Sequence, residues 1–238
     1  MAERVRTHKL SPSIFTISMK GGKERLATLN LSPGISVYGE ELISSRGKEY
    51  RVWDPFRSKL AAVVLKGIKS FPISAGSNIL YLGSASGTTA SHVSDIVGES
   101  GFVYCVDFAA RSMRDFLSNV YQHRENVSPI LADARNPENY SHLVGSIDGI
   151  YCDVAQPEQA KLLLDNATFF LSLGGWTLLA IKARSIDVAR DPSAIFEEEL
   201  HILRKNGFEI GDSIRLDPFD KAHAMVLSYY EGESSRLQ

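Results

Sequence analysis

The sequence predicts an α/β fold in which a small β domain precedes a doubly wound, largely parallel sheet. Beyond residue 78, nearly continuous apolar runs alternate with segments of helical periodicity, which is typical of parallel strands covered by helices on both faces. The last two apolar runs are separated by only six residues, 217–222. A parallel crossover needs about a dozen residues or more, so these two strands must form an antiparallel hairpin. Residues 8–57 show no long helical period, which favours short β-strands there.

The small β domain is expected to span residues 1–54. Gly21 and Gly22 are typical of a turn between two alternating segments. We expect strands in two pairs, at residues 14–17 with 27–29 and around residues 37–38 with 49–53. The pattern changes at Asp54-Pro55, after which apolar spacing indicates a helix opening at Ser58. The second domain is therefore expected to span residues 55–238.

The second domain contains seven strand candidates. They lie at residues 79–82, 102–106, 129–131, 147–152, 176–181, 209–216 and 223–230, with helices expected from Thr89, Arg111, Pro157 and Pro192. By fold-level analogy, a doubly wound sheet that closes with a hairpin is the Rossmann-like, seven-stranded sheet of S-adenosylmethionine (SAM)-dependent methyltransferases, with strand order 3-2-1-4-5-7-6. In that order the first strand separates Cys105 from Cys152, so no disulfide is expected.

Composition excludes several classes of protein. With 44% hydrophobic and 23% charged residues, the 238 residues suit an ordinary soluble globular chain and not a disordered or fibrous one. No apolar window approaches a membrane span and no secretory signal is apparent, so a cytoplasmic protein without membrane contact is expected. No metal site is visible. Residues 1–59 carry 11 basic and 6 acidic residues, net +5, whereas residues 60–238 carry 15 and 22, net −7.

The turn after the first parallel strand has the chemistry of an anion site. It reads GSASGTT over residues 83–89, with G-x-x-x-G spacing and not the G-x-G-x-x-G of dinucleotide binders. Glycines allow close approach of the backbone, and a helix that begins at Thr88 and Thr89 offers free N–H groups to a carboxylate such as that of methionine. The structural alternative is that the glycines only form the turn and the threonines only cap the helix.

Three aspartates follow three successive strands. Asp107, Asp133 and Asp153 come directly after the second, third and fourth strand candidates. Because open α/β sheets bind ligands beyond the carboxyl ends of their strands, the three carboxylates point to a nucleoside site, with Asp107 accepting both ribose hydroxyls. Each of them alone could be a turn residue at a strand end.

The resemblance to a known family rests on several motifs. Residues 81–89 read YLGSASGTT, residues 91–95 SHVSD, residues 153–157 DVAQP and residues 181–187 IKARSID, and the match extends to YRVW at 50–53 and SKLAA at 58–62. With these motifs the chain resembles fibrillarin over nearly its whole length. Asp107 stands where the family more often has Glu, which keeps the carboxylate and shortens its reach, and Ala132 stands where Gly or Glu is common.

Fibrillarin is the SAM-dependent ribose 2′-O-methyltransferase of box C/D guide RNA particles. The resemblance therefore implies SAM as cofactor and 2′-O-methylation of ribosomal RNA, and of transfer RNA as well, at sites chosen by the guide. The partners it implies are the box C/D guide RNA, a Nop56/58-type scaffold protein, a K-turn-binding ribosomal-like protein and the target RNA. The Gly/Arg-rich leader of eukaryotic members is absent, so the archaeal form is expected.

The resemblance also assigns the cofactor-binding residues. Thr88 and Thr89 would meet the methionine end of SAM, Asp107 the ribose hydroxyls, Phe108 the adenine face, Asp133 and Ala134 the adenine edge, and Asp153, Val154, Ala155 and Gln156 the sulfonium side. Gly83 and Ser84, in the glycine turn, complete the expected cofactor-binding set. Elementary electrostatics agrees with two of these assignments. A helix N-terminus favours a carboxylate, and the charge of Asp153 stabilises a positive sulfonium.

The family's catalytic set corresponds to Lys59, Asp153, Lys182 and His223. Asp153 and Lys182 end parallel strands, His223 begins an antiparallel one, and Lys59 lies in the first turn of a helix that must run back to the start of the first parallel strand. The directions in which these strands and this helix run are enough to bring all four residues to one edge of the sheet. We expect Lys182 to orient the ribose hydroxyl and stabilise the developing alkoxide, Asp153 to hold Lys182, and the other two to position the substrate. Asp153 is also a candidate to take the proton, and the sequence leaves the final proton acceptor open. Taken singly, each could be a solvated charge, a turn residue or a helix cap.

Three other functions compete with this interpretation. A SAM-dependent protein (glutamine) methyltransferase would use the same cofactor site and is the main alternative. A nicotinamide oxidoreductase is disfavoured by the glycine spacing and the closing hairpin, and a non-catalytic scaffold subunit is disfavoured because the catalytic positions and the cofactor turn are intact.

A net charge of −7 over residues 60–238 is unsuited to holding RNA by bulk charge. We therefore expect target choice to come from partners. The +5 amino-terminal β domain, with apolar residues such as Ile14 and Phe15, is the expected docking surface.

Overall fold

The computed structural model describes residues 4–19 and 21–232, which form two sheets. The five strands of the first sheet are β1 (Arg4–His8), β2 (Ser11–Ser18), β3 (Glu24–Leu29), β4 (Leu42–Ser45) and β5 (Lys48–Val52). Helix α1 (Lys59–Leu65) precedes the second sheet, whose strands are β6 (Asn78–Leu82), β7 (Phe102–Asp107), β8 (Val127–Leu131), β9 (Ile147–Cys152), β10 (Leu171–Lys182), β11 (Phe208–Arg215) and β12 (His223–Tyr230). The remaining α-helices are α2 (Thr88–Val97), α3 (Ala110–Asn119), α4 (Gln159–Phe170), α5 (Ala183–Ile186) and α6 (Pro192–Lys205).

The amino-terminal sheet is antiparallel with order β1-β2-β3-β5-β4. Strands β2 and β3 pair as predicted, with Gly21 and Gly22 in left-handed conformation in the turn. The prediction of a strand around residues 37–38 is wrong. The Glu40 carboxylate accepts hydrogen bonds from the backbone N–H groups of Val37 and Tyr38, at 2.9 and 2.8 Å, and this folds the segment into a loop. Strand β4 takes the expected place beside β5.

The seven-stranded sheet has the order β11-β12-β10-β9-β6-β7-β8. When the seven strands are numbered along the second domain, with β6 as the first, this order read from β8 to β11 is 3-2-1-4-5-7-6. The predicted topology is therefore confirmed. Strands β6 to β10 pair in parallel, and β12 pairs antiparallel with both β10 and β11. Cys105 and Cys152 are buried free thiols on β7 and β9, with β6 between them, as expected. Helix α4 begins at Gln159, two residues later than predicted.

The carboxyl edge of this sheet collects the ends of several elements. Strands β7, β9 and β10 end there at Asp107, Cys152 and Lys182, and the antiparallel β12 begins there at His223, directly opposite Lys182 in the ladder. Helix α1 starts at the same edge, where the side chain of Ser58 caps it by accepting from the Ala61 N–H. The connections therefore deliver polar residues from distant parts of the chain to one place.

A buried polar network joins the amino-terminal sheet to α2. Arg51 of β5 is fully buried and lies 2.6 Å from Glu40 and 2.8 Å from Asp95 of α2. Arg124 reaches the other oxygen of Asp95 at 2.6 Å, and His92 is fully buried beside them. Paired and hydrogen-bonded charges can be buried where isolated ones cannot. Because α2 also begins at the expected cofactor turn, the network fixes that turn relative to the first sheet.

The prediction that Ile14 and Phe15 belong to a docking surface is wrong for Ile14, because this residue is buried. Ile14 has no exposed surface and packs into the core shared with α1 and α2, next to Trp53. Phe15 is half-buried, with its ring edge-on to Tyr50 at 5.0 Å. Ile14 is therefore a structural residue.

Residues 53–58 connect β5 to α1, and the domain boundary expected at residues 54 and 55 falls within this connection. The two units share one hydrophobic core, and the boundary between residues 54 and 55 stays a prediction. No helix in residues 4–19 and 21–232 is long and apolar enough to cross a membrane.

Candidate active site

A cavity of about 270 Å³ opens at the carboxyl edge of the seven-stranded sheet. Most of the predicted cofactor residues line it: Gly83, Asp107, Phe108, Asp133, Ala134, Asp153, Val154, Ala155 and Gln156. Lys182 also contributes to its wall. Of the remaining predicted positions, Ser84 lies in the turn that leads into α2, and Thr88 and Thr89 are the first two residues of that helix.

The turn between β6 and α2 leaves several polar groups available. Helix α2 has no side-chain cap, and its N-cap Gly87 has a φ of 94°. The buried Ser84 Oγ has no hydrogen-bond partner within the described part of the chain. Buried hydroxyls are normally paired, so an open helix N-terminus and an unpaired hydroxyl fit the carboxylate of an amino-acid ligand.

Gly83 and the two threonines differ in how they serve this turn. A Cβ atom on Gly83 would lie 2.7 Å from the carbonyl oxygen of Asp153, so only glycine allows this close approach. Thr89 is buried and its hydroxyl donates to Ser58 Oγ at 3.2 Å. Thr88 is half-buried at the first helical position. Thr89 therefore links the turn to α1.

The Asp107 carboxylate organises the cavity wall beside the turn. Its Oδ2 accepts from the Ala85 N–H and its Oδ1 from the Ala109 N–H, both at 2.8 Å. A carboxylate offers about four lone-pair sites, so each oxygen keeps one for a further donor. Phe108 next to it is 67% exposed, which leaves its ring free to stack on a planar ligand.

Asp133, which lines the cavity, pairs with the exposed Arg135. The two side chains make a bidentate contact, with Arg135 Nε 3.0 Å from Asp133 Oδ2 and 3.1 Å from Oδ1. The hydrogen bond from Arg135 lowers the pKa of Asp133. Asp133 is thus an anion at the cavity wall, while its neighbour Ala134 is buried.

Asp153 holds two lysines from different elements. Its Oδ1 lies 2.9 Å from Lys182 Nζ and 3.2 Å from Lys59 Nζ. Lys182 Nζ also donates to the Asp153 carbonyl oxygen at 2.7 Å. Burial alone would lower the pKa of Lys59, but the carboxylates of Asp153 and Asp220 outweigh it, so the net effect is a raised pKa. Three of the four predicted catalytic residues are therefore in direct contact.

His223 joins this cluster through Asp220, a residue that was not predicted. Asp220 Oδ2 lies 3.4 Å from Lys59 Nζ, and Oδ1 lies 2.8 Å from His223 Nδ1. Burial would raise the pKa of Asp220, but the hydrogen bond from His223 and the charge of Lys59 lower it overall. The charges alternate in sign along the series Lys182, Asp153, Lys59 and Asp220, and the His223 ring contacts the last of these carboxylates. The spacing of Asp220 three residues before His223 was the only sequence pattern that could have indicated it.

Two further polar residues missed at the sequence level hold the backbone of Lys182. Gln159 is fully buried at the start of α4; its Oε1 accepts from the Lys182 N–H at 2.8 Å and its Nε2 donates to the Lys182 carbonyl at 3.2 Å. Glu199 of α6 in turn accepts from the Ala160 N–H at 2.7 Å. A negative charge at a helix N-terminus is stabilising. The Glu199 side chain therefore stabilises the first turn of α4 and holds Gln159, which lies in that turn, in position.

The site thus combines a cavity of about 270 Å³ with a partly buried cluster of ammonium and carboxylate groups, of which Asp153 and Lys182 line the cavity. Such a cluster can orient a hydroxyl and stabilise negative charge that develops on its oxygen. Within the described ranges, no three His, Cys, Asp or Glu side chains come together to hold a metal ion.

Comparison with known proteins gives consistent matches. The Fibrillarin family model matches residues 5–232. A fibrillarin-like rRNA/tRNA 2′-O-methyltransferase of Aeropyrum pernix is 53% identical over 222 residues, which are 93% of this chain and 95% of that protein. The crystal structure of Aeropyrum pernix fibrillarin with natively bound S-adenosyl-L-methionine has a TM-score of 0.89 and 52% identity, covering 94% of this chain and 97% of the other.

A second solved structure contains a partner. The fibrillarin in a fibrillarin/Nop5p complex has a TM-score of 0.79 and 38% identity to this chain, covering 87% of it and 94% of the other. The family model, the sequence relative and both structures extend over most of the two sheets. The chain therefore belongs to the fibrillarin family.

Proposed function

We propose that this protein is a SAM-dependent RNA ribose 2′-O-methyltransferase that acts on ribosomal and transfer RNA. The single observation that carries the proposal is the contact of Lys182 and Lys59 with one carboxylate, Asp153, on the rim of the cavity. The relatives named as rRNA/tRNA 2′-O-methyltransferases support the substrate class, and the SAM-bound relative supports the cofactor.

The polar groups around the cavity fit SAM by their chemistry. The open N-terminus of α2 and the unpaired Ser84 hydroxyl suit its carboxylate. The remaining lone pairs of Asp107 suit ribose hydroxyls, and the exposed Phe108 ring suits the adenine face. Asp133 and Ala134 are assigned to the adenine edge, and residues 153–156 to the sulfonium side.

The chain's own residues orient the acceptor hydroxyl. SAM, when bound, supplies a methyl group on a positively charged sulfur. Lys182, fixed by Asp153 and by the Gln159 contacts on its backbone, is assigned to holding the 2′-hydroxyl and stabilising the negative charge that grows on its oxygen. Reacting atoms about 3–3.5 Å apart are needed, so a lysine held from both ends is well suited to this task.

Because residues 60–238 carry a net charge of −7, this part of the chain is unsuited to holding RNA by bulk charge, and we infer that partners supply target choice. The solved fibrillarin/Nop5p complex supports a scaffold partner of the Nop56/58 type. The box C/D guide RNA and the K-turn-binding protein are further proposed members of the particle. The cytoplasmic location stays a prediction.

Methyl-transfer products distinguish ribose methylation from protein methylation. Labelled SAM is incubated with this chain, the assembled guide particle and target RNA, and the RNA is digested to nucleosides. We expect the label in 2′-O-methyl nucleosides. Label that appears only in glutamine side chains of protein, with none in RNA, would contradict the proposed function.

A further inference from the structure

The His223 ring has a defined tautomer. Its Nδ1 lies 2.8 Å from the Lys221 carbonyl oxygen and 2.8 Å from Asp220 Oδ1. A carbonyl and a carboxylate only accept hydrogen bonds, so Nδ1 must carry the proton that it donates to them. In the neutral imidazole the other nitrogen, Nε2, then has a free lone pair.

The ring lies within the cluster that holds the reacting hydroxyl. His223 is paired directly with Lys182 between β12 and β10. Asp220 connects it to Lys59, which in turn contacts Asp153. The His223 side chain keeps 18% of its surface exposed, which gives it a route to solvent.

Methylation of a hydroxyl releases one proton, and the other members of the cluster are poor acceptors. Lys59 is held as an ammonium by two carboxylates, which raise its pKa. Asp153 already faces two ammonium groups, and Lys182 Nζ lies 2.9 Å from the Asp153 carboxylate and donates a hydrogen bond to the Asp153 carbonyl. The neutral His223 ring, in contrast, has a lone pair on Nε2 that can accept the released proton.

Building on the proposed function, we propose that His223 Nε2 accepts the proton of the ribose 2′-hydroxyl, directly or through one water, and that Asp220 is its positioning residue. The oxygen–carbon bond forms while the carbon–sulfur bond breaks, and the sulfur keeps that electron pair and becomes a neutral thioether. The O–H electron pair stays on oxygen as the proton moves to Nε2. The imidazolium formed is stabilised by Asp220 and then loses its proton to solvent.

The tautomer is tested without any turnover. The whole chain, labelled with 15N-histidine, is studied by two-bond 1H–15N NMR at about pH 8.5, where an ordinary histidine is neutral, and the His223→Gln spectrum identifies the resonance. We expect the Nδ1–H tautomer. An Nε2–H tautomer would overturn the proposal, and this result does not depend on whether the chain methylates RNA.

The pH dependence of single-turnover methyl transfer in the assembled particle tests the role in catalysis. Asp220 is the charged group in contact with the ring, Lys221 contacts it through its carbonyl and Lys182 is its ladder partner. Lys59 and Asp153 are connected to the ring through Asp220. We expect the native rate to fall towards acid pH as Nε2 is protonated. His223→Gln should be slower by ~10²-fold or more and should lose this acid limb.

Asp220→Asn should move the acid limb to lower pH, because the imidazolium loses its negative partner. His201→Gln, which removes an exposed histidine on α6, is the matched control and should behave as the native chain. A His223→Gln variant with the native rate and acid limb would overturn the role of His223, and an unshifted Asp220→Asn profile would overturn that of Asp220. Failure of the native chain to methylate ribose would instead contradict the proposed function.

Discussion

Asp153 is the residue on which the site depends, because one carboxylate holds two lysines that the chain delivers from opposite directions. Lys59 arrives in the first turn of α1, where a positive charge opposes the helix dipole by ~0.3–1 kcal/mol. Its contacts at 3.2 Å with Asp153 and 3.4 Å with Asp220 offset this cost. Locally unfavourable choices of this kind concentrate at functional sites.

Asp107→Ala tests the cofactor site. The variant removes a carboxylate proposed to accept the ribose hydroxyls, and hydrogen bonds to charged groups contribute ~1.5–3 kcal/mol. We therefore expect SAM affinity, measured by calorimetry, to fall by about ten- to a hundred-fold. Asp115→Ala removes the same charge from an exposed position on α3 and should leave the affinity unchanged. Equal dissociation constants for Asp107→Ala and the native chain would exclude Asp107 from the site.

Lys182→Met separates catalysis from binding. The variant keeps much of the side-chain volume but loses the ammonium group that contacts Asp153. Methyl transfer should fall by ~10²-fold or more, while SAM affinity and the thermal unfolding midpoint change little. The control is Lys161→Met, at a side chain that is 63% exposed on α4. A Lys182→Met variant with native turnover would refute the proposed role of Lys182.

Residues that act directly on a ligand were easier to predict than residues that act through others. Asp153, Lys182 and His223 stand at strand ends, so direction of travel alone predicts their meeting. Gln159 and Asp220 have no comparable pattern, since their importance lies in contacts across 23 positions of sequence to Lys182 and across the cleft to Lys59. Only the folded arrangement reveals such contacts.

At the scale of elements, the buried network connects α2 to the amino-terminal sheet. Arg51 and Arg124 share the two oxygens of Asp95, and the hydroxyl of Thr28 donates to the same carboxylate at 2.9 Å. His92 lies between Thr28 and Tyr38, at 3.1 and 2.8 Å. Burial, together with the positive charges of Arg51 and Arg124, holds the pKa of His92 well below its ordinary value.

His92 makes stability depend on pH. In the unfolded chain the imidazole takes up a proton near pH 6.5, whereas in the folded protein it stays neutral to much lower pH. The unfolded state therefore binds more protons below pH 6.5, and the free energy of unfolding should fall as the pH is lowered. Between pH 6.5 and 5.5 the native chain should lose ~1 kcal/mol more than His92→Gln, measured by urea denaturation. Parallel pH profiles for the two chains would contradict this origin.

The prediction of elements from sequence succeeded where hydrophobic periodicity decides the outcome. The strands of the parallel sheet and their order are as predicted, because long apolar runs must be buried on both faces. The segment around residues 37–38 failed for a different reason. Its conformation is set by hydrogen bonds to Glu40, and a side chain that captures backbone N–H groups leaves no trace in apolar spacing.

At the scale of the whole molecule, the charge distribution argues for dependence on partners. Residues 60–238 carry a net charge of −7, and the two lysines at the cleft are already engaged by Asp153. Arg57 lies over the Tyr38 ring and donates to the Tyr38 carbonyl, so it too has a structural contact. Affinity for the phosphate backbone comes from free Lys and Arg side chains. The isolated chain should therefore bind target RNA weakly in filter-binding assays, and full binding should require the assembled particle.

The methyl groups on target RNA can be mapped nucleotide by nucleotide after reaction with the native chain in the assembled guide particle, which tests directly whether this chain is a guide-directed ribose methyltransferase. We expect one 2′-O-methyl ribose, at the nucleotide selected by the guide, with little or none from Lys182→Met or from the native chain without the particle. Efficient methylation of the same single ribose by the isolated chain, or by Lys182→Met in the particle, would contradict it.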